Sequence, residues 1–178
     1  EKFLAPKIPK ETLYQEMEKL YLNPQNINNP VHVILVKRKD QMILMDAGNG
    51  LQRNGWLLGN LKDLNISTDA ITDVLITHAH GDHISGLMNE DQLIFGEAKY
   101  YIAQEEFDYW SNLGTDKAKT QHNLFELLGS KLTKFKPYTQ FFDFIDSSFA
   151  PGHTPGHTIF TINDEGKKIT FMADLVHS

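Results

Sequence analysis

The seven residues Thr77-His78-Ala79-His80-Gly81-Asp82-His83 constrain this chain more than any other stretch. Three imidazoles and a carboxylate crowd together directly after the apolar run Val74-Leu75-Ile76, which reads as a buried strand. A strand that ends in a tight loop aims alternate side chains at one point, and imidazole with carboxylate is the donor set that zinc, manganese or iron selects. A solvated, His-rich turn is the competing reading, and the partners found downstream argue against it. The chain contains no cysteine, so disulfides, thiolate zinc sites and a cysteine nucleophile are excluded together. Any transition-metal site must therefore use nitrogen and oxygen.

A length of 178 residues suits one domain with a hydrophobic core. The expectation is a single domain over residues 1–178, with an N-terminal arm and helix over 1–30 and the core over 31–178. No stretch is long and apolar enough to span a bilayer, so no membrane partner is expected. The net charge is -6 and no block of like charge exists, which leaves no attractive field for a polyanion and argues against nucleic acid. A start at Glu1 rather than Met suggests upstream processing and tilts the expected compartment from the cytoplasm towards the periplasm or export.

Residues 1–9 read as an extended arm. Leu13, Met17, Leu20 and Tyr21 have helical spacing from Lys10 onward, and Asn23-Pro24 stops them before a turn-rich loop that runs to Pro30. Residues 31–36 and 41–45 are strand-like, joined by a polar turn over 37–40. The second run ends at Asp46-Ala47-Gly48, where a carboxylate at a strand end is placed to hydrogen-bond the metal loop. The glycines there match neither phosphate-loop pattern and read as turn residues. A stripe of Leu51, Leu57, Leu58, Leu61 and Leu64 predicts a helix, and residues 71–77 predict the strand that delivers the His loop. This strand-helix-strand rhythm implies a partly parallel sheet with its site beyond the carboxyl ends of the strands.

Residues 84–88 predict a short helix, 98–102 a strand, and 104–110 and 117–128 helices. Phe107, Tyr109, Trp110 and Phe125 read as core rather than as pocket lining, and His122 as a surface histidine. Residues 141–149 suggest two short strands. Then Pro151-Gly152-His153-Thr154-Pro155-Gly156-His157 forms a rigid turn able to present one imidazole in a defined direction. His157 either supports the site from behind or is a turn histidine bonded to backbone. Strands over 158–162 and 168–172, with a hairpin turn at 163–166, lead to a second carboxylate at a strand end, Asp174.

The spacing His78-x-His80-x-Asp82-His83, a lone His153 some seventy residues on and Asp174 closing a strand resembles the metallo-β-lactamase superfamily. Asp46-Ala-Gly, Gly-His-Thr-Pro-Gly-His-Thr and Asp174-Leu-Val-His together look most like its methyl parathion hydrolase and quorum-quenching lactonase branch. The resemblance implies an α/β fold, an αββα sandwich, with two divalent metal ions at one edge. Zinc is the first choice, with manganese or iron as alternatives. By that analogy His78, His80 and His153 hold one metal, Asp82 and His83 the other, Asp174 bridges both, and Asp46 and His157 support the ligands.

It also implies hydrolysis by a hydroxide held between the metals, with Asp82 orienting it or taking its proton and Asp174 setting the metal spacing. The expected substrate is a small ester-like molecule, a lactone or an organophosphate triester. A β-lactam or thioester is the alternative on the same fold, and an inactive metal-binding or interaction module is the alternative of another class. Family members supply one more histidine well after the bridging aspartate, whereas this sequence stops at Ser178. The expectation is therefore a fold lacking its last strands and helix. Its uncovered apolar surface would be met by a homodimer or by the missing C-terminal segment.

Overall fold

A computed structural model describes residues 7–24 and 31–176. The expected arm and turn-rich loop, and His177, lie wholly or mostly outside those residues. The chain divides into two units, Glu1–Pro30 and Val31–Ser178. In the first, helix α1 (Lys10–Lys19) forms where the spacing of Leu13 and Met17 predicts it, and none of its residues is buried. It ends as Tyr21 takes a left-handed backbone, φ 58°.

The second unit is built on two sheets. Strands β1 (Ile34–Arg38) and β2 (Gln41–Met45) form the expected hairpin, paired from Ile34↔Met45 to Arg38↔Gln41. After helix α2 (Leu57–Asp63), strand β3 (Asp73–Leu75) lies parallel to β2. Helix α3 (Gly81–Ile84) follows, then a small hairpin of β4 (Met88–Asn89) and β5 (Gln92–Leu93). Strand β6 (Lys99–Ala103), helices α4 (Gln104–Asn112) and α5 (Thr115–Leu128), and strand β7 (Leu132–Phe135) complete a mixed sheet of order β1-β2-β3-β6-β7. The second sheet is antiparallel, of order β11-β10-β9-β8, from β8 (Gln140–Phe141), β9 (Ile145–Phe149), β10 (Thr158–Asp164) and β11 (Lys167–Phe171).

Side-chain alternation along the mixed sheet sorts the core into two layers, because successive residues of a strand face opposite sides. Leu44, Val74, Ile76, Tyr100 and Ile102 pack with Leu61, Trp110, Ala118, Leu124 and Leu128 from the helices. Their neighbours Ile43, Met45, Leu75 and Ala103 pack instead with Phe141, Ile145, Phe160 and Phe171 of the antiparallel sheet. The layers therefore run helices, mixed sheet, antiparallel sheet, with Lys167–Thr170 of the edge strand β11 exposed on both of its faces. This is the mixed α/β sandwich expected from the sequence.

Several boundaries differ from expectation for local reasons. The strand expected over 71–77 spans only Asp73–Leu75, because the Thr77 amide donates to the Asp46 carboxylate instead of to a strand, N···Oδ1 2.8 Å. The leucine stripe over 51–64 is not one helix. A 3-10 turn at Leu51–Arg53 ends on left-handed Asn54, φ 57°, and α2 begins afresh at Leu57. The short helix expected at 84–88 starts earlier, inside the metal loop, where the amides of His83 and Ile84 both reach back to the His80 carbonyl, 3.0 and 3.2 Å. Strand β7 was not anticipated; Thr133 and Lys134, both exposed, dilute its apolar signal.

Candidate metal centre

Three neighbouring parallel strands end at one edge of the mixed sheet, which is where ligands gather in such folds. There β2 runs into Asp46, β3 into the His loop, and β6 into the first turn of α4, which carries Glu106. The antiparallel sheet adds the 150–157 loop between β9 and β10, and the 3-10 turn Ala173–Leu175 after β11. The two sheets are stitched together here by Thr158 N–H donating to the Thr77 carbonyl, 2.9 Å.

Among the described residues two overlapping groups of donor atoms result, the atoms within each group all lying within 4.8 Å of one another: His78, His80 and His153 in one, His78, His83 and Asp174 in the other. His80 Nδ1 lies 3.1 Å from His78 Nε2 and 2.8 Å from His153 Nε2. Asp174 faces both groups, with Oδ1 3.2 Å from His83 Nε2 and Oδ2 3.3 Å from His153 Nε2. Asp82 stands more open, its Oδ2 4.0 Å from His83 Nε2 and outside both tight groups. Five of the six residues expected to hold metal thus fall into the two groups, and the sixth lies beside them.

Asp46 fixes the direction of two of these rings. It is fully buried and adopts φ 61°, a left-handed backbone that Asp tolerates better than most residues. Its Oδ2 accepts the Thr77 hydroxyl at 2.7 Å and His83 Nδ1 at 2.8 Å. With the hydroxyl proton spent on Asp46, the Thr77 oxygen accepts from His78 Nδ1 at 3.1 Å. In the neutral form of either ring the network places the proton on Nδ1 and turns Nε2 towards the site.

The electrostatics favour a cation. Burial and then the neighbouring imidazoles, His83 foremost, hold His78 far below the usual histidine range, so this ring is a neutral donor. His80 is lowered by burial and by His153. Burial also acts to lower His83, but the Asp174 and Asp46 carboxylates outweigh it and push the ring up to about 10. The carboxylates thus draw positive charge into the site. His83 Nε2 is buried and, although 3.2 Å from Asp174 Oδ1, is not aligned to hydrogen-bond it. A divalent cation fits this arrangement: neutral His78 and His80, a carboxylate between the two groups, and a buried His83 ring nitrogen without a hydrogen bond, whose proton a cation would displace.

His157 is fully buried, with both ring nitrogens lacking a hydrogen-bond partner, so its ring is not bonded to backbone as a turn histidine would be. Its ring lies 5.1 Å from that of His78. His122 is away from both groups and bonds the Trp110 carbonyl, 3.0 Å. Trp110 belongs to the core, yet its edge meets the His80 ring at 5.5 Å.

The residue that sequence reasoning missed is Glu106, which is fully buried. Its Oε1 accepts from Ala79 N and Trp110 Nε1, 2.8 and 2.7 Å, and its Oε2 from the Thr154 hydroxyl and Gly156 N, 2.6 and 3.0 Å. An acidic residue in the first turn of a helix ordinarily reads as solvated. The available signal was positional: Glu106 follows the next parallel strand at the same sheet edge.

Solved structures of similar fold include AidC, a dizinc quorum-quenching lactonase in complex with the product N-hexanoyl-L-homoserine, at TM-score 0.89 and 29% identity over 97% of this chain and 66% of that one. A probable metal-dependent hydrolase from Staphylococcus aureus follows at TM-score 0.75 and 26% identity, over 94% of this chain and 65% of that one. The hydrolase AbOPH, of the beta lactamase superfamily, shares the fold at TM-score 0.77 and 21% identity, over 93% of this chain and 63% of that one. The chain thus spans slightly under two thirds of the length of these relatives. No curated protein matches it in sequence. Residues 27–178 match the family model of the metallo-beta-lactamase superfamily, and with the two donor groups at the sheet edge in place, the chain belongs to that superfamily.

Proposed function

We propose that the protein is a metal-dependent hydrolase of small, neutral ester-like substrates, lactones first, with two divalent ions at the His/Asp edge. One observation carries this reading: two donor groups share His78 and are spanned by the two oxygens of Asp174. The likeness to AidC supports the lactone choice and zinc as the metal. A bound metal pair supplies a water of lowered pKa and Lewis-acid polarisation of the substrate oxygen.

The chain's own residues provide the rest. His78, His80 and His153 would hold one ion, His83 and Asp82 the other, and Asp174 would hold both, one oxygen to each group. Asp46, through Thr77 and directly, keeps the His78 and His83 lone pairs aimed inward. Asp82, the carboxylate with the most open side chain in the site, would be the residue to accept a proton during hydrolysis and pass it to solvent.

The test is the metal content of protein purified without chelator, followed by turnover of a homoserine lactone, a paraoxon-type triester and a cephalosporin by loaded and stripped samples. Metal-dependent lactone opening supports the proposal. Preference for the triester or the cephalosporin overturns the substrate choice, and full metal occupancy without turnover overturns the enzyme reading.

A further inference from the structure

Asp46 orients His78 and His83 but touches neither His80 nor His153, the two rings contributed by separate loops from different sheets. We propose that Glu106 is a positioning residue that locks those two loops together and so sets the separation of His80 from His153. This rests on the metal-site reading above.

Ala79 lies between His78 and His80, and Thr154 and Gly156 lie between His153 and His157. One carboxylate oxygen holds the first loop and the other holds the second, so the Glu106 side chain is the bridge between them. The peptides are brought close enough that a Cβ on Gly156 would fall 2.1 Å from Glu106 N; only glycine permits that approach. Gln121 Nε2 donates to the Ala79 carbonyl at 2.5 Å, so Ala79 is held by both its N–H and its C=O. The bond to Trp110 Nε1 also seats that indole against the His80 ring.

The chemistry of the four contacts requires a carboxylate. Ala79 N, Gly156 N and Trp110 Nε1 can only donate, and they occupy both oxygens. An amide in either orientation turns its NH2 group towards an N–H that cannot accept. Glutamine is nearly isosteric with glutamate, yet it must break the clamp at one loop or the other.

The test is cobalt(II) titration of chelator-stripped protein, read by the visible d–d bands, with zinc affinity measured against a chromophoric chelator. Glu106→Gln should weaken binding of one ion by about 10- to 100-fold, the usual range for groups that orient ligands, and shift the cobalt bands. Thr154→Val removes one donor and should give a smaller change in the same direction, whereas Thr154→Ser should behave as wild type.

A carboxylate that merely stabilised the fold would lower the melting temperature and leave the cobalt spectrum and affinity unchanged. That result in folded Glu106→Gln overturns the assignment. If Glu106→Gln fails to fold, an unchanged spectrum and affinity in Thr154→Val overturns it. Wild-type protein that takes up no cobalt overturns the metal reading itself, and this assignment falls with it.

Discussion

Replacing Asp46 by Asn should separate the folding role of this buried carboxylate from its effect on the metal site. Asn tolerates the left-handed backbone at φ 61°, so little conformational strain is added. The Thr77 amide can only donate, and its 2.8 Å bond therefore selects the amide oxygen for the Oδ1 position. The NH2 group then occupies the Oδ2 position, where it must donate to His83 Nδ1 at 2.8 Å and to the Thr77 oxygen at 2.7 Å, which turns the Thr77 hydroxyl proton towards His78 Nδ1. His83 becomes an acceptor at Nδ1 and carries its proton on Nε2, the atom that faces Asp174.

The stability loss should be modest, about 1 kcal/mol for exchanging charge-assisted bonds for neutral ones. Metal bound through His83 and through His78 should weaken, by about 10- to 100-fold. Asp46→Ala differs in kind, because it strands the Thr77 and His83 donors in a buried site at about 1–3 kcal/mol each. At roughly 2–4 °C per kcal/mol, that loss is readily seen in a thermal scan. Calorimetric titration of stripped protein with zinc, alongside thermal scans, reads both quantities. Wild-type affinity for two ions in a folded Asp46→Asn variant would refute the tautomer reasoning.

His80→Ala and His153→Ala should each lose metal, seen by elemental analysis, whereas His122→Ala should keep the full complement and cost only about 1 kcal/mol from its bond to the Trp110 carbonyl. Gly156→Ala should lower the melting temperature, since its methyl would lie 2.1 Å from Glu106 N and such overpacking costs roughly 1–3 kcal/mol or more. Phe160→Ala, fully buried between the sheets, should cost about 3–5 kcal/mol in denaturant melts while leaving metal stoichiometry intact. Chelation should lower the melting temperature of the wild type by an amount that grows with metal affinity; no shift on stripping would contradict binding at the folded site.

The sequence made the His loop legible because its donors are contiguous and follow an apolar run, so no knowledge of tertiary structure is needed to bring them together. Asp46 and Asp174 were legible for a related reason: a carboxylate that ends a strand has few destinations other than the sheet edge. Glu106 was not, because its meaning depends on which backbone amides approach it. Those amides come from positions 79 and 156, far away in sequence and in loops that leave two different sheets. The leucine stripe misled in the opposite way. Its spacing was helical throughout, but the left-handed turn at Asn54 interrupts the chain where side-chain periodicity carries no signal.

The antiparallel sheet supplies His153 and Asp174, while the mixed sheet supplies the other donors. A cation held by both would staple the two sheets in a chain that has no cysteine to do so. It would close loops of roughly 75 and 91 residues, from 78 to 153 and from 83 to 174, a span over which a disulfide is worth about 4 kcal/mol or more in the chain-entropy model. Metal supply would then govern how long the two sheets stay docked, and with that the protein's resistance to proteases, before any substrate is met.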